Sequence, residues 1–433
     1  MTMPRSLLRL RPLALGLLLV GTCAVADDLA KASLPQSVTI QQLLQIAREQ
    51  SPRVAATRAQ IGTARAEIVA AGVLPNPRIT YGRYQLLSQK NTMYDGNVQQ
   101  EYTLEVPVQI AGQRGARVEA AEKRVAKTEA EVEADFAELT RNVWTLFIKL
   151  LVGRERVAIL EQAAQDLNYL RTLVAGREQA GSASPYDVLR MSVEAQSVET
   201  RLDSARADLA ATGGELGMLL GFPDWKPDAL GTLAPIGIAA DSRRLWEEAE
   251  HSNPELVAAQ RAEQAADAGL EQARRERWPT PSILLGSAFT NRPYGNAFFA
   301  GVSVELPLFD RGQGGMARAA AEKQTVLLER DLLRAKTRTE LDRAVELLAR
   351  RRASLDKFER EVLGRLPDLK QMAESAYRLG KGTLLELLDA ARSRTDIRLS
   401  HVELIQAETE AELDALKASG LLVSTLESGK AQN

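Results

Sequence analysis

Two carboxylates, Glu386 and Asp389, stand three residues apart in a Leu- and Ala-rich stretch of this 433-residue chain. That spacing puts both on one face of a helix, where paired negative charge gathers cations, although an ordinary solvated helix face carries the same pattern. An echo lies upstream: Asp187 matches Glu386, but Arg190 stands opposite Asp389. Asp187 can then pair with Arg190 along its own helix, which makes it the weaker candidate. The remaining chemical inventory is sparse. The chain has 2 His (His251 and His401) and 1 Cys (Cys23). These are too few for a zinc, haem or iron–sulfur centre, a disulfide framework, or Ser–His–Asp or Cys–His catalysis. The scattered Asp and Glu offer no clustered acid–base pair for an exported hydrolase. A net charge of −2 provides no basic surface for nucleic acid.

The N-terminus has the order of a secretion signal. Arg5, Arg9 and Arg11 precede the apolar run Pro12–Val20, and Ala24-Val25-Ala26 supplies small residues before a cleavage point. Residues 1–26 therefore read as a signal peptide. Val20-Gly21-Thr22-Cys23 loosely imitates a lipidation motif, but Thr22 is poorly suited to precede a lipidated cysteine. Cleavage after Ala26 removes Cys23 and three arginines, taking the net charge from −2 to −5. No later run approaches the roughly 18 consecutive apolar residues of a membrane helix. Any membrane span must be of another kind.

The elements that would position the carboxylates form a tandem duplication. Leu43 through Ser51-Pro52 is echoed by Leu245 through Asn253-Pro254, and Pro75-Asn76-Pro77 by Pro279-Thr280-Pro281. Glu105-Val106-Pro107 returns as Glu305-Leu306-Pro307, Gly112-Gln113 as Gly312-Gln313, and Gly181 to Leu189 as Gly380 to Leu388. The offsets are 202, 204, 200, 200 and 199 residues, a drift too small for chance likeness among helical sequences. The organisation is a first repeat (27–221), a linker (222–241), a second repeat (242–419) and a flexible tail (420–433). Each copy predicts a helix (about Ile40–Val73 and Arg243–Arg277) stopped by a Pro-x-Pro element. A two-stranded hairpin follows. In one copy Val98, Gln100, Tyr102, Leu104, Val106 and Val108 alternate with polar residues. In the other, Phe298, Ala300, Val302, Val304 and Leu306 alternate with Gly301, Ser303 and Glu305. Asp95-Gly96-Asn97 and Tyr294-Gly295-Asn296 read as the turns. A very long helix comes next. Met316–Leu363 contains neither Gly nor Pro and would reach on the order of 70 Å. Last helices, about Pro185–Ala210 and Leu384–Ser419, close the copies. The Gly312–Ala317 stretch imitates a dinucleotide loop, but Pro307 is incompatible with a central parallel strand, and the first copy reads Gly112-Gln113-Arg114-Gly115.

Four strands cannot close a barrel, and isolated strands leave costly open edges. Membrane barrels need at least about eight strands, so three chains supplying twelve meet the requirement. The helices would then project into water. The expected fold class is mainly α with a small β part. The architecture expected from this is a trimeric 12-stranded outer-membrane β-barrel, four strands per chain, that would continue into a long periplasmic α-helical barrel.

The duplicated helix–Pro-x-Pro–hairpin–Glu-x-Pro-x-x-x-x-Gly-Gln–helix layout, with Tyr377 through Ala390, resembles the TolC family of outer-membrane efflux proteins over essentially the whole mature chain. Leu74-Pro75-Asn76-Pro77 is most similar to the CzcC-like, metal-exporting branch. The resemblance implies a homotrimer in outer-membrane lipid that docks to a periplasmic adaptor and an inner-membrane resistance–nodulation–division pump, with no cofactor or resident metal. It implies that Gly181, Ser182, Ala183 and Ser184, and Leu379, Gly380, Lys381, Gly382 and Thr383, form adaptor-docking tips. It places Tyr377 in the closing network and Glu386 and Asp389, with Asp187 as the weaker position, around the pore constriction. Threefold symmetry would make each acid a ring that attracts cations. Gly382 stands where some drug-exporting relatives carry an arginine, so the resemblance does not carry a closing ion pair over to that position. The expected function is passive conduction of substrate, divalent heavy-metal cations by branch. Drugs or small organics suit the same duct, and a pore-free periplasmic coiled-coil scaffold is the rival that leaves the hairpins unexplained.

Overall fold

A computed structural model describes residues 34–85, 98–290 and 295–427. The leader with Cys23, the 95–97 turn, Tyr294 and the last six residues of the tail lie outside the described residues. Everything below concerns the unit from Gln36 onward.

A short strand β1 (Ser37–Val38) leads into α1 (Ile40–Glu49) and α2 (Pro52–Gly72). The second copy repeats this pair as α5 (Ser242–Ser252) and α6 (Pro254–Glu276), after β4 (Asp228–Ala229). The single opening helix expected in each copy is therefore two. Proline has no N–H and clashes with the preceding turn, so Pro52 and Pro254 can only begin a helix. The residue before each is extended: Ser51 at φ −67°, ψ 121° and Asn253 at φ −68°, ψ 117°. Both hinges are anchored in the same way. The Ser51 hydroxyl donates to the Leu220 carbonyl at 2.7 Å, and Asn253 Nδ2 donates to the Ala418 carbonyl at 2.9 Å. Each thus grips the end of the last long helix of its own copy, α4 (Pro185–Leu220) or α9 (Leu384–Ser419). Gly221 and Gly420 end those helices in the left-handed conformation. An added Cβ at Gly420 would lie 2.5 Å from Asn253 Cα, so only glycine permits that approach.

The strands β2 (Arg78–Gln85), β3 (Val98–Pro107), β5 (Ser282–Thr290) and β6 (Gly295–Ser303) form one antiparallel sheet in the order β2-β3-β5-β6. The two hairpins are thus joined through β3 and β5. Directly paired residues share a face. One face carries Ile79, Leu104, Leu285 and Ala300 in one row and Tyr81, Tyr102, Ser287 and Phe298 in the next. The other carries Gly82, Glu101 and Ala288, then Thr80, Thr103, Gly286 and Phe299. The apolar face is uncovered: Ile79, Val302 and Phe298 are 78%, 71% and 86% exposed. The second strand of the second hairpin stops at Ser303, short of the expected Leu306. Its partner begins at Ser282, directly after Pro281, and proline donates no ladder hydrogen bond.

From the sheet, α3 (Gln113–Gln179) runs 67 residues without interruption, roughly 100 Å. Its counterpart is divided into α7 (Gln313–Glu361), a 3-10 turn at Leu363–Arg365, and α8 (Leu366–Arg378). Gly364 weakens the helix there and Pro367 lies within the first two positions of α8, so the chain re-initiates. The last helix of the first copy, α4, extends ten residues beyond the expected Ala210. Below the sheet, Leu160, Leu167, Met191, Val198, Leu387 and Leu388 share one core between the two copies.

The 222–241 linker is clamped. Asp228 and Leu230 donate backbone bonds to Gln36 and Val38, pairing β4 with β1 in parallel. Farther on, the wholly buried Glu412 carboxylate accepts the Ile236, Gly237 and Ile238 N–H groups and a bond from Arg352 at 2.9 Å. Burial raises the Glu412 carboxyl pKa against the opposing pull of those donors. The expected flexible tail is also ordered in its described part. Leu422–Glu427 forms a short helix, α10, whose Leu422 and Leu426 are buried, because the chain has apolar surface to cover there.

Candidate functional site: the helical tips

Two turns at the sheet-distal end join α3 to α4 and α8 to α9. Each begins with a left-handed glycine, Gly181 at φ 73° and Gly380 at φ 69°. That conformation returns the next N–H groups onto the last helical carbonyls: Ser182 donates to Arg177 O at 2.7 Å and Lys381 to Ala376 O at 2.9 Å. Each turn then opens its helix with a reciprocal cap. Asp187 N donates to the Ser184 hydroxyl at 3.2 Å while Ser184 N donates to Asp187 Oδ2 at 2.9 Å. Glu386 N donates to Thr383 Oγ1 at 3.3 Å, and Thr383 N to Glu386 Oε2 at 2.8 Å. The carboxylates at 187 and 386 therefore hold their own helix starts, where the helix dipole also favours them. The Ser-x-x-Asp and Thr-x-x-Glu spacings were legible as capping signatures, and sequence reasoning passed over them.

Glu386 and Asp389 are both exposed on one face of α9. Asp389 acts electrostatically on Arg392 one turn on. The expected Asp187–Arg190 pair is replaced by local contacts: Asp187 turns back to Ser184, and Arg190 reaches the Tyr186 hydroxyl at 3.4 Å. At Gly382 an added Cβ would meet Ala376 Cβ at 3.2 Å and its carbonyl carbon at 3.3 Å. A side chain at that position would therefore press on Ala376, which would have to give by a few tenths of an ångström.

Tyr377 is 5% exposed, within the bundle. The Arg177 guanidinium lies 4.6 Å from its ring centre, donates through Nη1 to its carbonyl, and reaches Ser182 O at 3.5 Å through Nη2. Burial raises the Tyr377 phenol pKa; the nearby Arg177 charge opposes this. The reverse arrangement stands beside it: Arg378 of α8 donates to the Tyr169 hydroxyl on α3 and lies 6.0 Å from that ring. Deeper in the bundle, Arg392 grips Glu194 with two bonds, one of 2.7 Å. Asp166 accepts from Lys370 at 3.1 Å and from Arg394. These partners hold the Glu194 carboxyl below its usual range, and they do the same for Asp166 against the cost of burial. Sequence reasoning missed Arg177, Tyr169, Glu194 and Asp166. Comparing the copies offers a signal, since Arg177 and Glu178 face Ala376 and Tyr377 at the 199-residue offset. The cavity among these helices, about 50 Å³, has room for a few waters.

The two histidines lie apart in the fold. His401 Nε2 is 2.8 Å from Glu359 and its ring stacks on Phe358, while His251 is exposed on α5. Among the described residues no group of three or more His, Cys, Asp or Glu could hold a metal ion. Gly312 starts α7 after an antiparallel strand, which is not the setting of a dinucleotide loop. Among the described residues no helix is long and apolar enough to cross a membrane, a statement that does not bear on strands.

A duplicated pair of hairpins in one sheet, apolar on one face and carried on helices far longer than a globule needs, defines a channel-wall protein. The chain belongs to the outer membrane efflux protein family, whose signature matches residues 43–221 and 245–420. It is 26% identical to the cobalt-zinc-cadmium resistance protein CzcC of Cupriavidus metallidurans over 370 residues, 84% of this chain and 86% of that one. It is 24% identical to the pyoverdine export outer membrane protein OpmQ of Pseudomonas putida over 418 residues, 89% and 86% of the two chains. The crystal structure of the outer membrane protein VceC from Vibrio cholerae superposes with a TM-score of 0.70 at 20% identity, covering 88% of this chain and 96% of that one. The protein is thus an outer-membrane efflux channel subunit with a periplasmic part, and its family and fold are those of channels.

Proposed function

We propose that three copies of this chain form a passive exit duct, a twelve-stranded barrel in outer-membrane lipid that continues as a tube of helices into the periplasm. The observation that carries this reading is the single sheet with an uncovered apolar face and open edges at β2 and β6. Backbone groups on those edges have no partner strand within the described residues, and lipid offers none. Pairing β6 of one subunit with β2 of the next satisfies both edges and turns the apolar face outward. The tips around Gly181–Ser184 and Leu379–Thr383 would dock a periplasmic adaptor, which links the duct to an energised inner-membrane pump of the resistance–nodulation–division class.

The proposed cargo is divalent heavy-metal cations. Likeness to CzcC supports it, as do the exposed Glu386 and Asp389, which threefold symmetry would repeat around the axis. Likeness to OpmQ favours a second reading, a duct for small organic chelators. A strain lacking the gene separates them. Sensitivity to cobalt, zinc or cadmium that only the intact gene relieves supports the metal reading, and retained chelator in the periplasm supports the other. Purified protein that stays monomeric in detergent and passes no ions in planar bilayers would sink the duct itself.

A further inference from the structure

The strands of the sheet carry two arginines, one on each face. Arg78 stands directly opposite Glu105 on the polar face. Arg83 stands on the apolar face, whose paired residues include no carboxylate. Its row explains how that face tolerates a charge. Counting away from the helices, the rows of this face begin with Val106, Ile283 and Val302 and reach Tyr81, Tyr102 and Phe298. The row beyond is Arg83, Gln100, Phe289 and Asn296, so the face turns polar just past its aromatic residues. Tyr81 and Tyr102 pack with ring centres 5.0 Å apart. Aromatic residues followed by polar ones mark where hydrocarbon gives way to head groups. A charge facing lipid is costly at the bilayer centre and nearly free at that boundary. The step from Val302 to Asn296 covers about 20 Å of strand. Beyond Val302, the exposed Leu306 and Leu308 lengthen the apolar band toward the helices.

We propose that Arg83 is a lipid-phosphate site, which holds the head group of an anionic lipid in the leaflet away from the periplasm. This rests on the reading of the sheet as one third of a barrel in lipid with its helices in the periplasm. The helices join the sheet at its Arg78 and Pro107 end, and the Arg83 row lies at the other. A guanidinium is planar, stays charged and meets a phosphate with two parallel bonds. Its stem is long enough to lie along apolar surface while the fork reaches the head-group plane. Gln100, directly opposite Arg83, adds an uncharged amide donor in the same row. The carboxylates of the sheet, Glu101 and Glu105, lie on the other face and do not compete for the guanidinium. Because β2 is an edge strand, pairing it with β6 of the next copy puts Arg83 at the seam between subunits, and three copies give three such sites.

The test is native mass spectrometry of purified full-length trimers in detergent, titrated with lipid A. Wild type should take up to three molecules per trimer, and Arg83→Gln should weaken uptake roughly tenfold. Arg83→Lys should recover part of it, keeping charge but losing the fork. Arg78→Gln, on the opposite face, should bind as wild type does. Dephosphorylated lipid A should bind wild type as weakly as lipid A binds Arg83→Gln. Equal uptake of lipid A by wild type and Arg83→Gln, or of the two lipids by wild type, would overturn the site. Displacement by equimolar inorganic phosphate would make it a site for the free anion and overturn it as well. Insertion into phosphatidylcholine vesicles separates these failures from that of the barrel. Trimers that insert but show no preference for lipid A remove only this site, whereas a wild type that neither trimerises nor inserts removes the duct reading too. If Arg83→Gln forms no trimers, Arg83→Lys and the dephosphorylated lipid still decide.

Discussion

Glu386 carries two jobs that a substitution to alanine would confuse. Its carboxylate caps α9 through Thr383, and its charge faces solvent beside Asp389. The same reciprocal cap at the start of α1 is made by Thr39 with an uncharged Gln42, so glutamine supports the geometry without the charge. Glu386→Gln with Asp389→Asn should therefore keep the tip folded and weaken block of conductance by divalent cations. Unchanged block would show that neither carboxylate lines the narrowest ring. Thr383→Ala removes the cap itself and should cost about 1 kcal/mol, read from thermal melting. The part-buried ion pairs set a pH response. The Glu194 and Asp166 carboxyls lie below their ordinary values of 4.5 and 3.8. Their stabilisation is complete above those values and is lost as pH falls from them through the lower folded values. Amide protection factors in α4 and α8, taken relative to the intrinsic exchange rate at each pH, should fall as the solution is acidified below those values. Glu412 runs the other way. Its raised pKa means that its contribution is fullest below 4.5 and declines as pH rises through the folded value.

Among the elements, the hinges at Ser51–Pro52 and Asn253–Pro254 show what pattern-reading found and what it missed. The pairing of the two sites across the duplication was legible; the break was not, because helical periodicity continues on both sides of each proline. The physical cue was present, since a residue before proline is biased to extended backbone. Asn253 does more than end α5: its Oδ1 accepts from Glu255 N at 2.9 Å while its Nδ2 holds the end of α9. Asn253→Ala should cost on the order of 1–2 kcal/mol and lower the melting temperature. The division of α7 from α8 followed from Gly364 and Pro367, which lie just past the Gly- and Pro-free run used to set its length. The ordered linker was illegible for another reason. Its anchor, Glu412, lies 174 residues or more away in sequence and looks like any helical glutamate.

For the molecule as a whole, the sheet is the part that cannot stand in water alone. Phe298 and Val302 lie on its uncovered face, whereas Glu101 and Thr103 lie on the polar one. Val302→Asp places a charge against lipid and should strip the protein from outer-membrane fractions while leaving its helical circular dichroism intact, because the helices draw their stability from their own core. Glu101→Gln, on the opposite face, should fractionate with membranes as wild type does; equal loss from both variants would show that the faces are assigned the wrong way round.

The sequence by itself determined the duplication, the helices and hairpins, and the alternation that makes one sheet face apolar. These are local or periodic properties that each segment carries independently. The tertiary structure decided which hairpins adjoin, that the linker and tail are docked, and that Tyr377 is held by an arginine from the other repeat. Such facts depend on residues distant in sequence meeting in space, and no spacing along one chain encodes which guanidinium will find which ring.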